Sequence, residues 1–141
     1  MGTEIFSHIN WLAVLVATVA YFILGAIWYN KAVFGSKWAQ GHGIKMNDPE
    51  AKKGAGKIMM ISFVGFIVIT ITLAILIAKM SLTGIMSGVK LGLITGIGFS
   101  SMTICISYFY TKKPMALHFI DGAYHVVGQI VAAVILCLWA K

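Results

Sequence analysis

The stretch LHFIDGAYHVVGQIVAAVILCLW, residues 117–139, decides the fold. It is long and apolar, yet its first nine residues carry His118, Asp121 and His125. A run of about 20 apolar residues is what a helix needs to cross roughly 30 Å of hydrocarbon. Three more runs of that kind lie upstream, placing spans at about 9–29, 58–78, 85–110 and 118–139. With 60% hydrophobic and only 11% charged residues, the 141-residue chain is far from the balance of a soluble domain. Unpaired backbone groups are intolerable in lipid, and the runs lack the alternation of barrel strands, so helices are expected. The expected fold is a single all-α integral membrane domain over residues 1–141, with four transmembrane helices in an antiparallel bundle.

Charge placement orients this bundle. Lys31, Lys37, Lys45, Lys52, Lys53 and Lys57 fall between spans 1 and 2, and Lys112 and Lys113 between spans 3 and 4. Only Lys79, Lys90 and Lys141 fall on the other side. The positive-inside rule then puts loop 30–57 in the cytoplasm and both termini outside, in a bacterial inner membrane. The net charge of +7 is thereby assigned to lipid headgroups, and no nucleic-acid partner is expected. The first span is too long, and ends too bulkily in Trp28 and Tyr29, to read as a cleavable signal. Cys105 and Cys137 lie inside spans and read as small buried hydrophobes.

In loop 30–57, Phe34 and Trp38 among lysines read as a segment lying in the membrane interface. Asn47 or Asp48 followed by Pro49 and Glu50 reads as a helix start that continues through AKKGAGK into span 2. His42, between two glycines, reads as an exposed loop residue. In span 3, Gly84, Gly88, Gly92 and Gly96 recur every four residues and make a groove for close helix packing, within or between subunits. Continued, the same face holds Ser100, Thr103 and Ser107. Lys90 is expected to snorkel to the interface. Span 1 presents Ser7, Asn10, Thr18, Tyr21, Gly25 and Trp28 in one sector, with Asn10 facing protein or the outer interface. Trp28 and Tyr29 read as interfacial anchors.

At about 100° per residue, His118, Asp121, His125 and Gln129 share one face of span 4, spread over roughly 80°. Such a stripe has to face protein or water, and it shares the cytoplasmic half with Trp28, Tyr29, Tyr108 and Tyr110. Three chemistries suit it. His118, Asp121 and His125 are candidate metal ligands, but first and last stand about 10 Å apart along the axis, too far for one ion on a straight helix. Asp121 and His125, at i and i+4, can hydrogen-bond and form a proton or ion relay. Alternatively Asp121, Tyr124 and His125 satisfy one another and hold helices together. No nucleophile–base–acid set, phosphate loop or dinucleotide fingerprint is present, so no cofactor is expected and an enzyme is the least favoured class.

INWLAVLVATVAYFILGAIWYNKAVFGSKW (9–38) and YFYTKKPMALHFIDGAYHVVGQIVAAVILCLW (108–139) resemble a family of small bacterial membrane proteins known as domain of unknown function 1761. The features that carry the likeness are Asn10 and Trp11; Gly25, Trp28 and Tyr29; Phe34, Gly35 and Trp38; and Ala123, Tyr124 and His125. The resemblance implies a four-helix membrane fold and no particular activity. It also implies that Asn is common where this chain has Asp121 and that His118 is not a fixed feature, which favours a structural role for Asp121. Three functions stand as expectations. They are an oligomeric transporter or channel for an ion or small solute using the stripe, a non-catalytic scaffold subunit, and a membrane metalloenzyme.

Overall fold

The computed structural model describes residues 2–140; Lys141, counted above on the outer side, falls outside them. The described residues are helical, with no strand among them. The order is α1 (Glu4–Ser7), α2 (Trp11–Trp28), a π-helical segment (Lys31–Gly35), α3 (Ser36–Gly41), α4 (Pro49–Lys52), α5 (Ala55–Met80), α6 (Ile85–Thr95), a second π-helical segment (Gly96–Ser101), α7 (Met102–Tyr110) and α8 (Met115–Leu138). Four helical stretches are long and apolar enough to cross a membrane: Trp11–Trp28, Pro49–Met80, Ile85–Tyr110 and Met115–Leu138.

α8 is the central element. Twelve of its residues are buried inside the protein, against four of α5. Burial of Leu117, Ile120, Tyr124, Ala132, Ala133, Leu136 and Cys137 gives it an inward apolar face, interrupted by buried His118, Asp121 and Gln129. α2 packs on one side of α8 and α6 on the other, while α5 touches both α2 and α8. Tyr21 of α2 lies flat in the interior, its ring seated on Gly128 and stacked on Phe66 at 4.6 Å. Thr18 and Thr70, both fully buried, join α2 to α5 through their hydroxyls at 2.7 Å.

The glycine groove is used inside the chain. A Cβ at Gly88 would meet the Val134 backbone, one at Gly92 the Ile130 backbone, and one at Gly96 the Val126 Cα. Rising numbers on α6 thus meet falling numbers on α8 at backbone-to-backbone distance, the approach that small residues permit. Gly84 meets α8 through its amide instead, which donates to the Cys137 carbonyl at 3.3 Å. It precedes α6 with φ +81 and open space around its Cα, a backbone conformation natural to glycine. Thr103 and Ser107 also leave the expected face and are exposed. The π-helical segment after Gly96 adds a residue to the turn and rotates everything beyond it by one position. Ser101, not Ser100 alone, therefore meets α8 at Gly122, and Tyr108 replaces Ser107 on the inner face.

The loop differs from expectation as well. Asp48 caps α4, accepting from the Glu50 amide at 3.0 Å, with Pro49 in the first turn. The helix does not run on through AKKGAGK, however: it breaks at Lys53 and Gly54, where φ is +73, before α5 begins. Phe34 and Trp38 are both half-buried. They fold back against the helix ends, 4.9 Å from Trp28 and 5.7 Å from Tyr29 between ring centroids. Lys90 is exposed, Cys137 buried and Cys105 half-buried, both cysteines free.

Because a side chain at Gly92 would collide with α8 backbone that cannot move aside, Gly92→Leu is expected to cost about 1–3 kcal/mol or more through overpacking. Gly98→Leu, with open space around it, should be nearly silent. Thermal unfolding of the two variants in the same detergent distinguishes them.

Candidate functional site

The polar stripe of α8 meets side chains from α2, α7 and the loop. Tyr29, just past the end of α2, donates its hydroxyl to Asp121 Oδ1 at 2.5 Å. Tyr108 of α7 donates to the other oxygen, Oδ2. Asp121 is only 6% exposed, and among the described residues the one ion pair is Lys53–Glu50 on the surface. The carboxylate is therefore held by two phenols and no cation. Hydrogen bonds to an ionisable acceptor are the strong kind, and these two fasten three segments at one point.

One turn further along α8, Tyr21 hydroxyl and His125 Nδ1 are 2.7 Å apart, and the Tyr124 hydroxyl donates to the Tyr21 carbonyl at 3.1 Å. Beyond them the Gln129 amide donates to Ser100 Oγ at 2.5 Å. Trp28 Nε1 donates to the Ile120 carbonyl at 3.0 Å, and the Asn10 side chain caps α2 by accepting from the Ala13 amide at 3.1 Å. Gly25 leaves room for the Tyr124 hydroxyl. All four stripe residues face protein, as the periodicity requires. Their pairing differs from expectation: Asp121 and His125 do not bond each other, nor do Asp121, Tyr124 and His125 form a closed set. Asp121, Tyr124 and His125 each take a partner from outside α8. Trp28 and Tyr29 both turn inward and bond α8. Tyr110, at 87% exposed, stays outside the cluster.

The loop closes the cluster at its end. α3 packs on α8, with Gly41 against the Leu117 side chain and Ala39 buried. His42, expected to be exposed, is instead half-buried. Its ring stands 4.7 Å from Trp38 and 6.0 Å from Tyr108, and its Nε2 is buried with no partner. Only the fold shows this, since a histidine between glycines carries no periodic signal. Burial, then the nearby Lys113 charge, holds His42 below its ordinary value of 6.5, against an opposing pull from Asp121. His118 donates from Nδ1 to the Pro114 carbonyl at 3.2 Å and lies between the rings of Tyr108 and Phe109. Among the described residues no group of three or more His, Cys, Asp or Glu side chains converges as a metal site would. His118, Asp121 and His125 each have a different partner. A larger cavity, about 680 Å³, opens at the opposite end of the helices beside Asn10, Trp11, Ser81 and Trp139.

Two outcomes follow from these contacts. Tyr29→Phe and Tyr108→Phe should each destabilise by about 1–3 kcal/mol, the cost of a lost bond to a charged or buried acceptor. The pair should be non-additive by at least about 0.5 kcal/mol in a double-mutant cycle, because both act on one carboxylate. His42, held low in the folded protein, takes up a proton more readily when α3 is released. Docking of α3 should accordingly weaken as pH falls below about 6.5. Amide exchange in residues 36–41 should speed up there, and His42→Phe should remove the pH dependence.

No curated protein and no solved structure is significantly similar to the chain. Residues 12–137 match the family described as Protein of unknown function (DUF1761), so nearly the whole sequence is covered and the chain belongs to that family.

Proposed function

We propose that the four long helices cross a bacterial inner membrane as an antiparallel bundle, with both termini outside, and that the protein is a proton-linked transporter of an ion or small solute. The observation that carries this reading is the buried Asp121 carboxylate, held by Tyr29 and Tyr108 with no cation beside it. Intramembrane ionisable groups are costly and mark ion or proton paths. A proton arriving at Asp121 turns one acceptor oxygen into a donor. The tyrosine facing that oxygen then has to turn its hydroxyl and accept where it donated, which re-aims either the α2 or the α7 tie to α8. Protonation is in this way coupled to helix position. Tyr124, the Tyr21–His125 pair and the Gln129–Ser100 pair continue the polar face toward mid-helix. In this reading the working unit is a homo-oligomer, since α8 fills the middle of a single chain.

A second reading has its own observation. The same two bonds tie three segments at one point, which is what a scaffold subunit without transport would need. Asp121→Asn separates the two. Asn keeps one acceptor and gains a donor, so the junction survives in nearly neutral form while the titratable proton is gone. In proteoliposomes, transport predicts a proton-dependent flux in the wild type that drops at least about tenfold in Asp121→Asn, with unfolding little changed. Absence of flux from the wild type, with lowered stability in the variant, would leave the scaffold.

A further inference from the structure

A groove of about 360 Å³ runs between the second π-helical segment with α7 on one side and α8 on the other. Ser101, Cys105, Phe109, His118, Ala123 and Val127 are among its walls, and His118 and Cys105 are the only titratable groups there. The α8 wall extends from Met115 to Val127, about 18 Å of helix. His118 stands one turn from the end that adjoins Lys112 and Lys113, and the rest of the wall is apolar.

His118 is an anomaly in this place. It is 5% exposed, and its Nδ1 proton is committed to the Pro114 carbonyl. In the neutral ring Nε2 is then a bare acceptor, and it is buried with no donor. Buried acceptors are nearly always paired, so an unpaired one calls for an explanation. Protein closes much of the ring's surroundings: Tyr108 lies edge-on at 5.5 Å, Phe109 at 4.6 Å, and the Pro114 carbonyl on Nδ1. Water is poorly suited to the remaining side, because an ordered water needs two to four polar partners and the groove offers few.

We propose that this groove binds a membrane-dissolved amphiphile whose hydroxyl donates to His118 Nε2 and whose apolar body lies along Ala123 and Val127. Carbonyl and ether oxygens bring no proton and cannot satisfy a bare acceptor. Phe109, 61% exposed, is the side chain that swings aside to admit the hydroxyl. The hydroxyl would sit at the level of the loop lysines and the tail would point toward mid-membrane, the natural posture of an amphiphile in a leaflet. Two sources supply such chemistry, a glycerol lipid and a quinol. The proposal rests on the membrane placement above and not on proton movement.

The test is imidazole nitrogen NMR on uniformly histidine-labelled protein in phosphatidylcholine nanodiscs, with His118→Gln to assign the resonance. Dioctanoylglycerol and a short-chain ubiquinol are titrated separately, each beside its O-methylated analogue. The expected result is an unprotonated His118 Nε2 that shifts upfield saturably with one of the two alcohols. The methyl ether should produce no shift, and Ala123→Leu, which fills the groove, should abolish the response. Whichever alcohol acts names the source. Absence of a saturable shift with both, an equal shift with the ethers, or a protonated Nε2 in the unliganded protein overturns the proposal. A protein that enters nanodiscs and gives no shift sinks the groove alone, whereas one that never enters a bilayer sinks the membrane placement with it.

Discussion

Backbone contact between α6 and α8 is the constraint on which the other arrangements depend. Gly88, Gly92 and Gly96 remove three side chains from the path of Val134, Ile130 and Val126, and the two helices close to a distance no larger residue would allow. Among apolar surroundings little distinguishes one leucine-lined contact from another, so close packing and hydrogen bonds decide which helices associate. With α6 pressed on one side, α8 is left with a polar stripe to enclose. α2 supplies the enclosure, its Tyr21 resting on Gly128 and its end bringing Tyr29 and Trp28 to Asp121 and the Ile120 carbonyl.

The π-helical segment Gly96–Ser101 mediates between these two halves of α8. Before it, the face of α6 that meets the α8 backbone is glycine; after it, the face has moved by one residue and carries Ser101 and Tyr108. A regular helix would have turned Ser107 inward, and Asp121 would have lost one of its two donors. Interruptions of this type recur at functional sites because they re-aim a side chain without ending the helix. The Asp121 junction is consequently a structural tie shared by the end of α2, α7 and α8. The loop adds a third layer, with α3 and His42 covering the junction and sharing the ring of Tyr108.

How much of this was legible in the residues depends on the range of the interaction that decides each feature. The four apolar runs and the single polar face of α8 follow from run length and the 3.6-residue period, properties local to each segment. So does the Asp48–Pro49 start of α4. The Tyr29–Asp121–Tyr108 junction is half visible in the residues, since both tyrosines fall near the stripe, but the structure gives Asp121 to Tyr29 and Tyr108 and His125 to Tyr21. Periodicity says which residues share a face and is silent on what stands opposite.

His42 shows the limit most plainly. Two flanking glycines described its backbone freedom, and nothing local disclosed that α3 would fold onto Leu117 and set the imidazole beside Tyr108. The sequence by itself determined that the chain is helical, that four of its stretches are long and apolar enough to span a membrane, and that His118, Asp121, His125 and Gln129 face one way. It did so because each property is summed along a few turns of one helix. Tertiary structure alone decided which phenols hold Asp121, that the glycine face is consumed within the chain, and that His118 keeps an unpaired nitrogen beside a groove. Those depend on crossing distances and on a one-residue shift of register in a distant segment, and contacts between segments set both.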